Sequence, residues 1–269
     1  MLKIASVTGG PVGAAVMEVE SGALVALNGK QHFPMQSVYK LPIGMAVLHQ
    51  IDNGFLTLDQ IVKVKPGDLV PPALRSPLRD SHPKGADVSA RELLTLMMVD
   101  SDGSASDVLL KLVGGPEPVM KYLAESGISD IVVATSEMEM SRDQQTQYKN
   151  WSTPGAMVGL LKLLQEGRVL KPESRTLLLD WMTKTPTFPG RLKGLLPAGT
   201  VVAHKTGSSG TRGGMTRATN DVGLISLPNG HHLAVAVFVS DTKVNEETRE
   251  AVIAKIARAA WDCWTAPVH

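Results

Sequence analysis

The sequence contains a serine and a lysine whose spacing could support nucleophilic catalysis. In Ser37-Val38-Tyr39-Lys40 the lysine follows the serine by three residues, and positions i and i+3 share one face of a helix. A serine hydroxyl is a weak nucleophile until a neighbouring base takes its proton, and a lysine amine is one such base. The same spacing also occurs at Ser81–Lys84 and at Ser240–Lys243.

The surroundings of these three strings separate them. Ser81 lies in a stretch rich in Pro and Gly, and Ser240 follows a predicted strand in a polar turn. Only Ser37 precedes a run with a helical period, formed by Leu41, Met45, Leu48 and Ile51. Taken alone, the string leaves two interpretations open: a nucleophile beside its base, or a helix cap followed by a solvated lysine.

The length and charge of the chain exclude several classes of protein. With 269 residues it has room for one or two domains. Its 27 basic and 26 acidic residues give a net charge of +1, so we expect neither nucleic acid nor a membrane as a partner. The sequence lacks a His-Glu-x-x-His string and a cysteine cluster, so we expect no metal and no cofactor. The single cysteine, Cys263, is predicted to lie in the core of the last helix.

The predicted elements place strands at both ends of the chain and helices in the middle. Strands are predicted at 12–27 (a hairpin), 200–205, 222–227 and 233–239. A capping box at Ser89–Glu92 starts a helix that reaches about Val99, and a helix over 245–264 closes the chain. The segment 135–150 has no clear period and is predicted to be a long loop. The two ends are expected to pair into one antiparallel sheet.

Two further strings supply polar groups that could complete a site. Ser101-Asp102-Gly103 lies in a short break between two predicted helices, and Lys205-Thr206-Gly207 follows a predicted strand. A strand edge with an ammonium, a hydroxyl and a glycine suits a substrate whose carboxylate lies along it like an added strand. Each string alone also fits a helix cap or a solvated strand end.

In this order, the three strings resemble the motif set of class A serine β-lactamases and penicillin-binding proteins. The resemblance extends over nearly the whole chain and is greatest to the extended-spectrum branch of the PER and VEB type. The segments that carry it are Gln147-Tyr148-Lys149-Asn150-Trp151, Leu195-Leu196-Pro197-Ala198-Gly199 and His204-Lys205-Thr206-Gly207. The implied activity is hydrolysis of penicillins and cephalosporins through a serine acyl-enzyme.

The resemblance implies roles in acylation. Ser37 would attack the β-lactam carbonyl, with Lys40 as a base or as part of the proton relay. Ser101 would pass a proton to the departing ring nitrogen. The N–H groups of Ser37 and Ser208 would form the oxyanion hole.

The resemblance also implies a site for the substrate carboxylate. Lys205 and Thr206 would bind it beside the open backbone of Gly207. Arg191 would supply a guanidinium that assists Lys205, because Thr216 occupies the position where many relatives carry Arg. A surface charge is the alternative interpretation of Arg191.

Release of the acyl group needs a base that activates water. Class A enzymes use a glutamate on a long loop, and alignment on Tyr148–Trp151 selects Glu137, with Glu139 as the rival. A solvated loop carboxylate is the alternative for both. Ser141 would help to hold the water.

The predicted loop departs from the usual class A pattern. Thr135, Met138 and Ser141 stand where most relatives have Arg, Pro and Asn, and Asn150 stands where the acidic partner of that Arg is usual. Both members of a salt bridge are therefore missing together. Without Pro, a cis peptide at Glu137 would cost about 3 kcal/mol, so we expect a trans bond there.

Two other departures concern the helix after Ser101. Gly103 replaces the Asn of Ser-Asp-Asn, which normally contacts the lysine of Ser-x-x-Lys and the side-chain amide of the substrate. We expect its loss to shift substrate preference or to weaken catalysis. Asp107 stands where many relatives have Asn, and an acid there is found in the PER-like branch.

The resemblance implies an α+β fold with two lobes and the active site in the cleft between them. A three-layer α/β/α sandwich, with an antiparallel five-stranded sheet built from both chain ends, would comprise 1–32 and 192–269, and an all-α lobe would comprise 33–191. We expect a monomer that acts on a small β-lactam in the periplasm or after secretion, as a mature chain without its signal peptide. A penicillin-binding DD-peptidase or a non-hydrolytic β-lactam receptor domain is the alternative.

Overall fold

The structure, a computed structural model, describes residues 1–266 of the chain. Its strands are β1 (Val12–Glu18), β2 (Leu24–Leu27), β3 (Phe33–Pro34), β4 (Ile61–Val64), β5 (Ala86–Ser89), β6 (Ile131–Val132), β7 (Trp151–Ser152), β8 (Val202–Ser208), β9 (Thr211–Arg212), β10 (Met215–Ser226) and β11 (His232–Thr242). Its α-helices are α1 (Leu2–Ala5), α2 (Lys40–Asp52), α3 (Pro77–Ser81), α4 (Ala90–Val99), α5 (Gly103–Leu112), α6 (Pro116–Glu125), α7 (Glu137–Arg142), α8 (Pro154–Gln165), α9 (Pro172–Lys184) and α10 (Glu246–Thr265). Short 3-10 helices lie at Ser6–Thr8, Gln36–Tyr39, Pro66–Asp68 and Thr146–Lys149.

The chain forms two compact units. Unit 1 contains Met1–Val38, Trp151–Glu166 and the chain from Phe188 on, and unit 2 contains Tyr39–Asn150 and Gly167–Thr187. Helix α8 belongs to unit 1, where it contacts β1 and β11, although the sequence had suggested that all of 33–191 forms a helical lobe. The apolar period of α8 shows that it must cover a surface, but it does not show which surface.

An antiparallel sheet forms the centre of unit 1, with strand order β2-β1-β11-β10-β8 and the short β9 added to β10. Val12 of β1 lies opposite Val239 of β11, so the two ends of the chain pair as expected. Alternate residues of the strands enter one apolar core with α10, including Val16, Val235 and Ile253. The predicted α+β fold with its antiparallel sheet is therefore confirmed.

Unit 2 is built around α2, which contacts α4, α5, α6 and α9. All residues from Lys40 to Leu48 are buried. Gly44 allows the close approach of α4, because a Cβ at this position would lie 3.2 Å from Sδ of Met98 and 3.3 Å from Cε of Met97. This packing buries the first part of α2, at whose first position Lys40 lies.

Three local predictions are wrong. Ser240 is buried on β11 and does not lie in a polar turn after a strand. The segment 135–150 is not a loop throughout, because it contains α7 and a 3-10 helix; α7 depends on side-chain caps, which an apolar period does not reveal. Cys263 is exposed rather than buried. It follows the buried Trp261 by two residues, which places it about 200° away around α10.

Within residues 1–266, no helix combines the length and the apolar character needed to cross a membrane. In the same range, no cluster of three or more His, Cys, Asp or Glu side chains is arranged to hold a metal ion.

Candidate active site

Ser37 lies in a 3-10 helix and not at the cap of an α-helix. This turn spans Gln36–Tyr39 and runs directly into α2, which starts at Lys40. Side chains three residues apart eclipse each other in a 3-10 helix, so the Ser-x-x-Lys spacing still favours one face. Gln36 has a φ of 47°, a conformation that is uncommon without glycine and that often occurs at functional sites.

Asn220 on β10 ties the backbone that leads to Ser37 to the sheet of unit 1. Its buried Nδ2 donates to the carbonyl oxygens of Pro34 at 2.8 Å and Met35 at 3.0 Å. On β8, a Cβ added to Gly207 would lie 2.5 Å from the Met35 carbonyl oxygen and 3.2 Å from the Ser37 nitrogen. Gly207 is therefore required for the close approach of these two backbone segments.

Lys205, Thr206 and Ser208 lie on β8, at the edge of the sheet. Lys205 and Thr206 are buried, and Ser208 is half-buried. Lys205 lies opposite Val222 in the pairing of β8 with β10. Thr216 pairs with β9 and β11 instead, so it does not lie across from the Lys-Thr-Gly string.

Arg191 lies fully buried within unit 1. Its Nη1 donates to the carbonyl oxygens of Gly207 and Asn220, each at 3.1 Å, and its Nε donates to Glu250 at 3.0 Å. Burial lowers the pKa of Arg191, and the charges of Asp221 and Glu250 oppose this shift. The interpretation of Arg191 as a surface charge is therefore wrong, and its guanidinium supports the backbone of the Lys-Thr-Gly string.

In unit 2, Lys40 contacts both Ser101 and Glu137. Its Nζ lies 2.8 Å from Oε1 of Glu137 and donates to the Ser101 carbonyl oxygen at 2.8 Å. The Ser101 hydroxyl oxygen is 3.4 Å from the same Nζ. Only 1% of the Lys40 side chain is exposed, so little water competes for these contacts. One ammonium group thus connects a carboxylate with a hydroxyl, which is the arrangement that a proton relay needs.

Asp102 shapes the turn that presents Ser101. Its buried carboxylate accepts hydrogen bonds from Oγ of Ser76 at 2.9 Å, the Leu78 nitrogen at 2.7 Å and the Ala105 nitrogen at 2.9 Å. Ser101 has a φ of 60°, which is unfavourable for a side chain other than glycine. The Asp102 bonds stabilise this conformation.

Gly103 leaves little room for the asparagine that is usual in Ser-Asp-Asn. A Cβ at this buried position would lie 3.3 Å from the Arg75 carbonyl oxygen and 3.5 Å from Cγ of Glu137. A larger side chain would therefore have to displace its surroundings. The tightest neighbours are the Arg75 carbonyl oxygen and Cγ2 of Val70, each at 3.3 Å, whereas the distance to Glu137 is an ordinary van der Waals contact.

Helix α7 distinguishes the two candidate bases. Oε2 of Glu139 accepts hydrogen bonds from the Ser136 nitrogen at 2.9 Å and from Oγ1 of Thr135 at 2.7 Å. The bond from the Ser136 backbone lowers the pKa of Glu139, and Glu139 completes a capping box. Glu137 is buried and pairs with Lys40. Glu137 therefore lies beside Lys40, whereas Glu139 has a structural role at the start of α7.

Two further expectations for this loop concern Ser141 and the peptide bond after Glu137. Oγ of Ser141 donates to the Met138 carbonyl oxygen at 2.7 Å, so its hydrogen is used within α7. Residues 1–266 contain no cis peptide bond. The bond after Glu137 is therefore trans, as predicted.

Asn150 takes the place of the missing salt bridge at the base of the loop. Its fully buried Oδ1 accepts hydrogen bonds from the nitrogens of Ala134 at 2.7 Å and Thr135 at 3.0 Å, and its Nδ2 donates to the Thr135 carbonyl oxygen at 2.9 Å. These bonds join neutral groups, so they need no arginine partner. The absence of both charged residues is thereby explained.

Asn150→Ala is expected to lower the free energy of unfolding by about 2 kcal/mol, because the N–H and C=O of the buried Thr135 and the N–H of the exposed Ala134 lose their partner. Denaturant unfolding measures this change, and limited proteolysis is expected to cut first within 135–150. Gln145→Ala changes an exposed residue of the same loop and is expected to alter stability by less than about 0.5 kcal/mol. Equal stability of the two variants would contradict the proposed role of Asn150.

Asp107 on α5 holds the start of α7 and was not among the predicted site residues. Its two carboxylate oxygens accept hydrogen bonds from the nitrogens of Glu137 and Met138, both at 2.8 Å. Burial raises the pKa of Asp107 to about 7, and the charge of Glu137 adds to this effect. The signal in the sequence was an acid at a position where many relatives have Asn.

We expect Asp107 to make turnover depend on pH near 7. Above that pH its carboxylate accepts both N–H bonds, whereas the protonated carboxyl group below it keeps one good acceptor and holds Glu137 less firmly. The kcat value is therefore expected to fall as the pH falls through about 7. In Asp107→Asn, with one acceptor at every pH, we expect kcat to stay at the low-pH value of the unchanged enzyme across this range.

A second carboxylate, Asp68, provides the control for Asp107. Asp68→Asn removes a carboxylate that pairs with Lys111 at 3.0 Å and is expected to leave the pH profile unchanged. An unchanged profile in Asp107→Asn would assign the titration to another residue.

Asp107 is also expected to make stability depend on pH. The folded pKa of Asp107 lies above the reference value of 3.8, so its contribution to stability decreases as the pH rises from about 4 to about 7.

Comparison with known proteins identifies the family. A sequence profile of the Beta-lactamase enzyme family matches residues 2–264. The chain is 42% identical over 250 residues to the extended-spectrum β-lactamase PER-1 of Pseudomonas aeruginosa, a match that covers 93% of this chain and 81% of that protein. It is 40% identical over 253 residues to β-lactamase VEB-1 of the same organism, covering 93% of this chain and 84% of that one. A crystal structure of a β-lactamase from Chitinophaga pinensis matches with a TM-score of 0.95 and 46% identity, covering 98% of this chain and 97% of that one.

The fold, the order of the three strings and these relatives define a class A serine β-lactamase. The chain belongs to the β-lactamase enzyme family. The predicted similarity to the extended-spectrum PER and VEB branch is confirmed by the identities to PER-1 and VEB-1.

Proposed function

We propose that this enzyme hydrolyses penicillins and cephalosporins and that Ser37 carries the acyl group. Oγ of Ser37 attacks the lactam carbonyl carbon and loses its proton to the relay that contains Lys40. The ring C–N bond breaks as Ser101 delivers a proton to the departing nitrogen. The N–H groups of Ser37 and Ser208 stabilise the developing oxyanion. The closeness of the Ser37 nitrogen to the Gly207 position supports this assignment.

Hydrolysis of the acyl-enzyme needs a second base, for which we propose Glu137. Its carboxylate takes a proton from a water, the oxygen of that water attacks the ester carbon, and the ester C–O bond breaks. Oγ of Ser37 leaves and receives the proton that Glu137 had taken. Lys40 keeps Glu137 in place through their 2.8 Å ion pair, and a lone pair of Ser141 helps to hold the water. This ion pair is the observation that carries the proposal, because it joins the deacylating base to the acylation relay.

We assign substrate recognition to β8 and to residues near it. Lys205 and Thr206 bind the carboxylate of the β-lactam, and the open edge at Gly207 admits the substrate. Arg191 supports this edge through the Gly207 carbonyl oxygen. Gly103 affects the choice among β-lactams, because the usual asparagine contact with the substrate amide is missing there.

A chromogenic cephalosporin tests the proposed activity. Mixed in large excess with the enzyme, it is expected to be hydrolysed completely over many turnovers. A single burst of one equivalent, followed by a stable adduct in the intact mass, would instead indicate a penicillin-binding peptidase or a β-lactam receptor domain.

We also propose that the enzyme acts as a monomer in the periplasm or after secretion. A β-lactam reaches a bacterial cell from outside, so hydrolysis there confers antibiotic resistance. Light scattering is expected to give the mass of one 28.7 kDa chain, and fractionation of the producing cells is expected to release the activity with the periplasm or the medium. A dimer mass or activity that stays with the cytoplasm would contradict this assignment.

A further inference from the structure

Polar side chains replace the apolar core of unit 1 at the end of the sheet that carries Lys205. Residues of β8 that alternate with Lys205 point to the opposite face. On that face Val202 joins the apolar core, but the next such residue is His204. Its partner is Asp221 on β10, with Nδ1 of His204 at 2.9 Å from both carboxylate oxygens. Both side chains are completely buried.

The two ring nitrogens of His204 differ in their surroundings. Its Nε2 is buried, and no residue within 1–266 makes a hydrogen bond to it. Its Nδ1 lies beside the Asp221 carboxylate, whose oxygens can accept an Nδ1–H.

Asp221 connects the loop that carries Arg191 to the strand that carries Lys205. Besides the bond from His204, its carboxylate accepts a hydrogen bond from the Leu192 nitrogen at 3.1 Å. Leu192 directly follows Arg191, and His204 directly precedes Lys205. The charge of Asp221 also acts on the buried Arg191 guanidinium. One carboxylate is thus hydrogen-bonded to the residue that follows Arg191 and to the residue that precedes Lys205.

We propose that the buried Asp221–His204 pair is a positioning pair that sets Lys205 and Arg191 for recognition of the substrate carboxylate. The inference rests on the proposed function, in which Lys205 binds that carboxylate. Neither member of the pair touches the substrate. Their effect on the reaction passes through β8 and through the bond from Arg191 to the Gly207 carbonyl oxygen. Removing the pair should therefore weaken recognition of a carboxylate more than it weakens the reaction itself.

Two forms of one chromogenic cephalosporin test this inference: the free acid, and its methyl ester, in which the carboxylate is masked. For Asp221→Asn we expect kcat/KM for the acid to fall about 10- to 100-fold, mainly through KM, because small displacements of binding groups have effects of this size. For the ester we expect kcat/KM to change less than about threefold. The ester has no free carboxylate, so it does not make the contact that the substitution weakens. A role in stability alone would lower both values equally.

A second His–carboxylate pair in the same unit provides a matched control. Nδ1 of His231 lies 2.8 Å from Oε1 of Glu18, next to the turn between β10 and β11 at the far end of the sheet. Glu18→Gln is expected to leave unchanged the ratio of kcat/KM for the acid to kcat/KM for the ester. His204→Leu removes the donor without adding a charge and is expected to lower the ratio less than Asp221→Asn does, which keeps the test informative if Asp221→Asn fails to fold.

Lys205→Ala separates the inference from the function on which it rests. If this variant still prefers the acid over the ester as strongly as the unchanged enzyme does, the assignment of Lys205 is wrong. If Lys205→Ala loses the preference while Asp221→Asn and His204→Leu keep it, the assignment of Lys205 stands and the positioning pair is overturned.

Discussion

Replacing Glu137 with Gln is expected to slow release of the acyl group about 10²- to 10⁴-fold, the usual contribution of a general base, while acylation continues. A neutral amide cannot take a proton from the attacking water. Lys40 keeps its bond to the Ser101 carbonyl oxygen at 2.8 Å, so the relay for the first step survives. The variant is therefore expected to take up one β-lactam per chain and to hold it.

The intact mass of the protein after mixing with a β-lactam shows whether the acyl group stays bound. The size of the burst with a chromogenic cephalosporin gives the fraction of chains that are acylated. Glu139→Gln is the matched control, because Glu139 caps α7 and its amide replacement retains an oxygen that accepts from the Ser136 nitrogen. We expect this control to turn over within about tenfold of the unchanged enzyme. Normal turnover in Glu137→Gln together with a stalled Glu139→Gln would move the base to Glu139.

Ser37→Ala is expected to lower turnover about 10⁶-fold, the scale measured when a catalytic serine is removed from another hydrolase. Alanine has no oxygen with which to form the acyl bond, so neither a burst nor an adduct should be detected. The two variants thus differ in kind: Glu137→Gln traps the intermediate, and Ser37→Ala prevents its formation.

The chain itself offers controls for Ser37, since two other serines precede a lysine by three residues. Ser81 donates its hydroxyl to the Pro77 carbonyl oxygen at 2.7 Å, and Ser240 is buried on β11. Ser81→Ala and Ser240→Ala are expected to be acylated and to turn over. An adduct that persists in Ser37→Ala and disappears in one of these controls would place the nucleophile there.

Much of the fold was predictable because its signals are local. The capping box at Ser89 was expected to start a helix that ends near Val99, and α4 spans Ala90–Val99. Helix α7 was missed because Ser136 and Glu139 stabilise it through their side chains, without an apolar period. The packing of α8 on the sheet was missed because an apolar stripe does not specify its partner.

The candidate site was predictable where its residues form short strings. Asn220, Asp221 and His204 were overlooked as individual positions, although polar residues inside otherwise apolar strands marked them as unusual. Their partners, among them Met35 and Leu192, are far away in the sequence. Spacing along the chain contains no information on such contacts.

The sequence by itself determined the family, the α+β fold and the residues proposed for acylation, because these depend on short motifs in a fixed order and on local periods. Only the tertiary structure decided that Lys40 pairs with Glu137 rather than Glu139, that Arg191 is buried against Gly207, and that Asn150 closes the loop. These outcomes depend on which groups are shielded from water together, and burial is a property of the folded chain. In an extended chain water solvates each charged group, whereas in the folded chain a buried charged group must pair with another group of the protein.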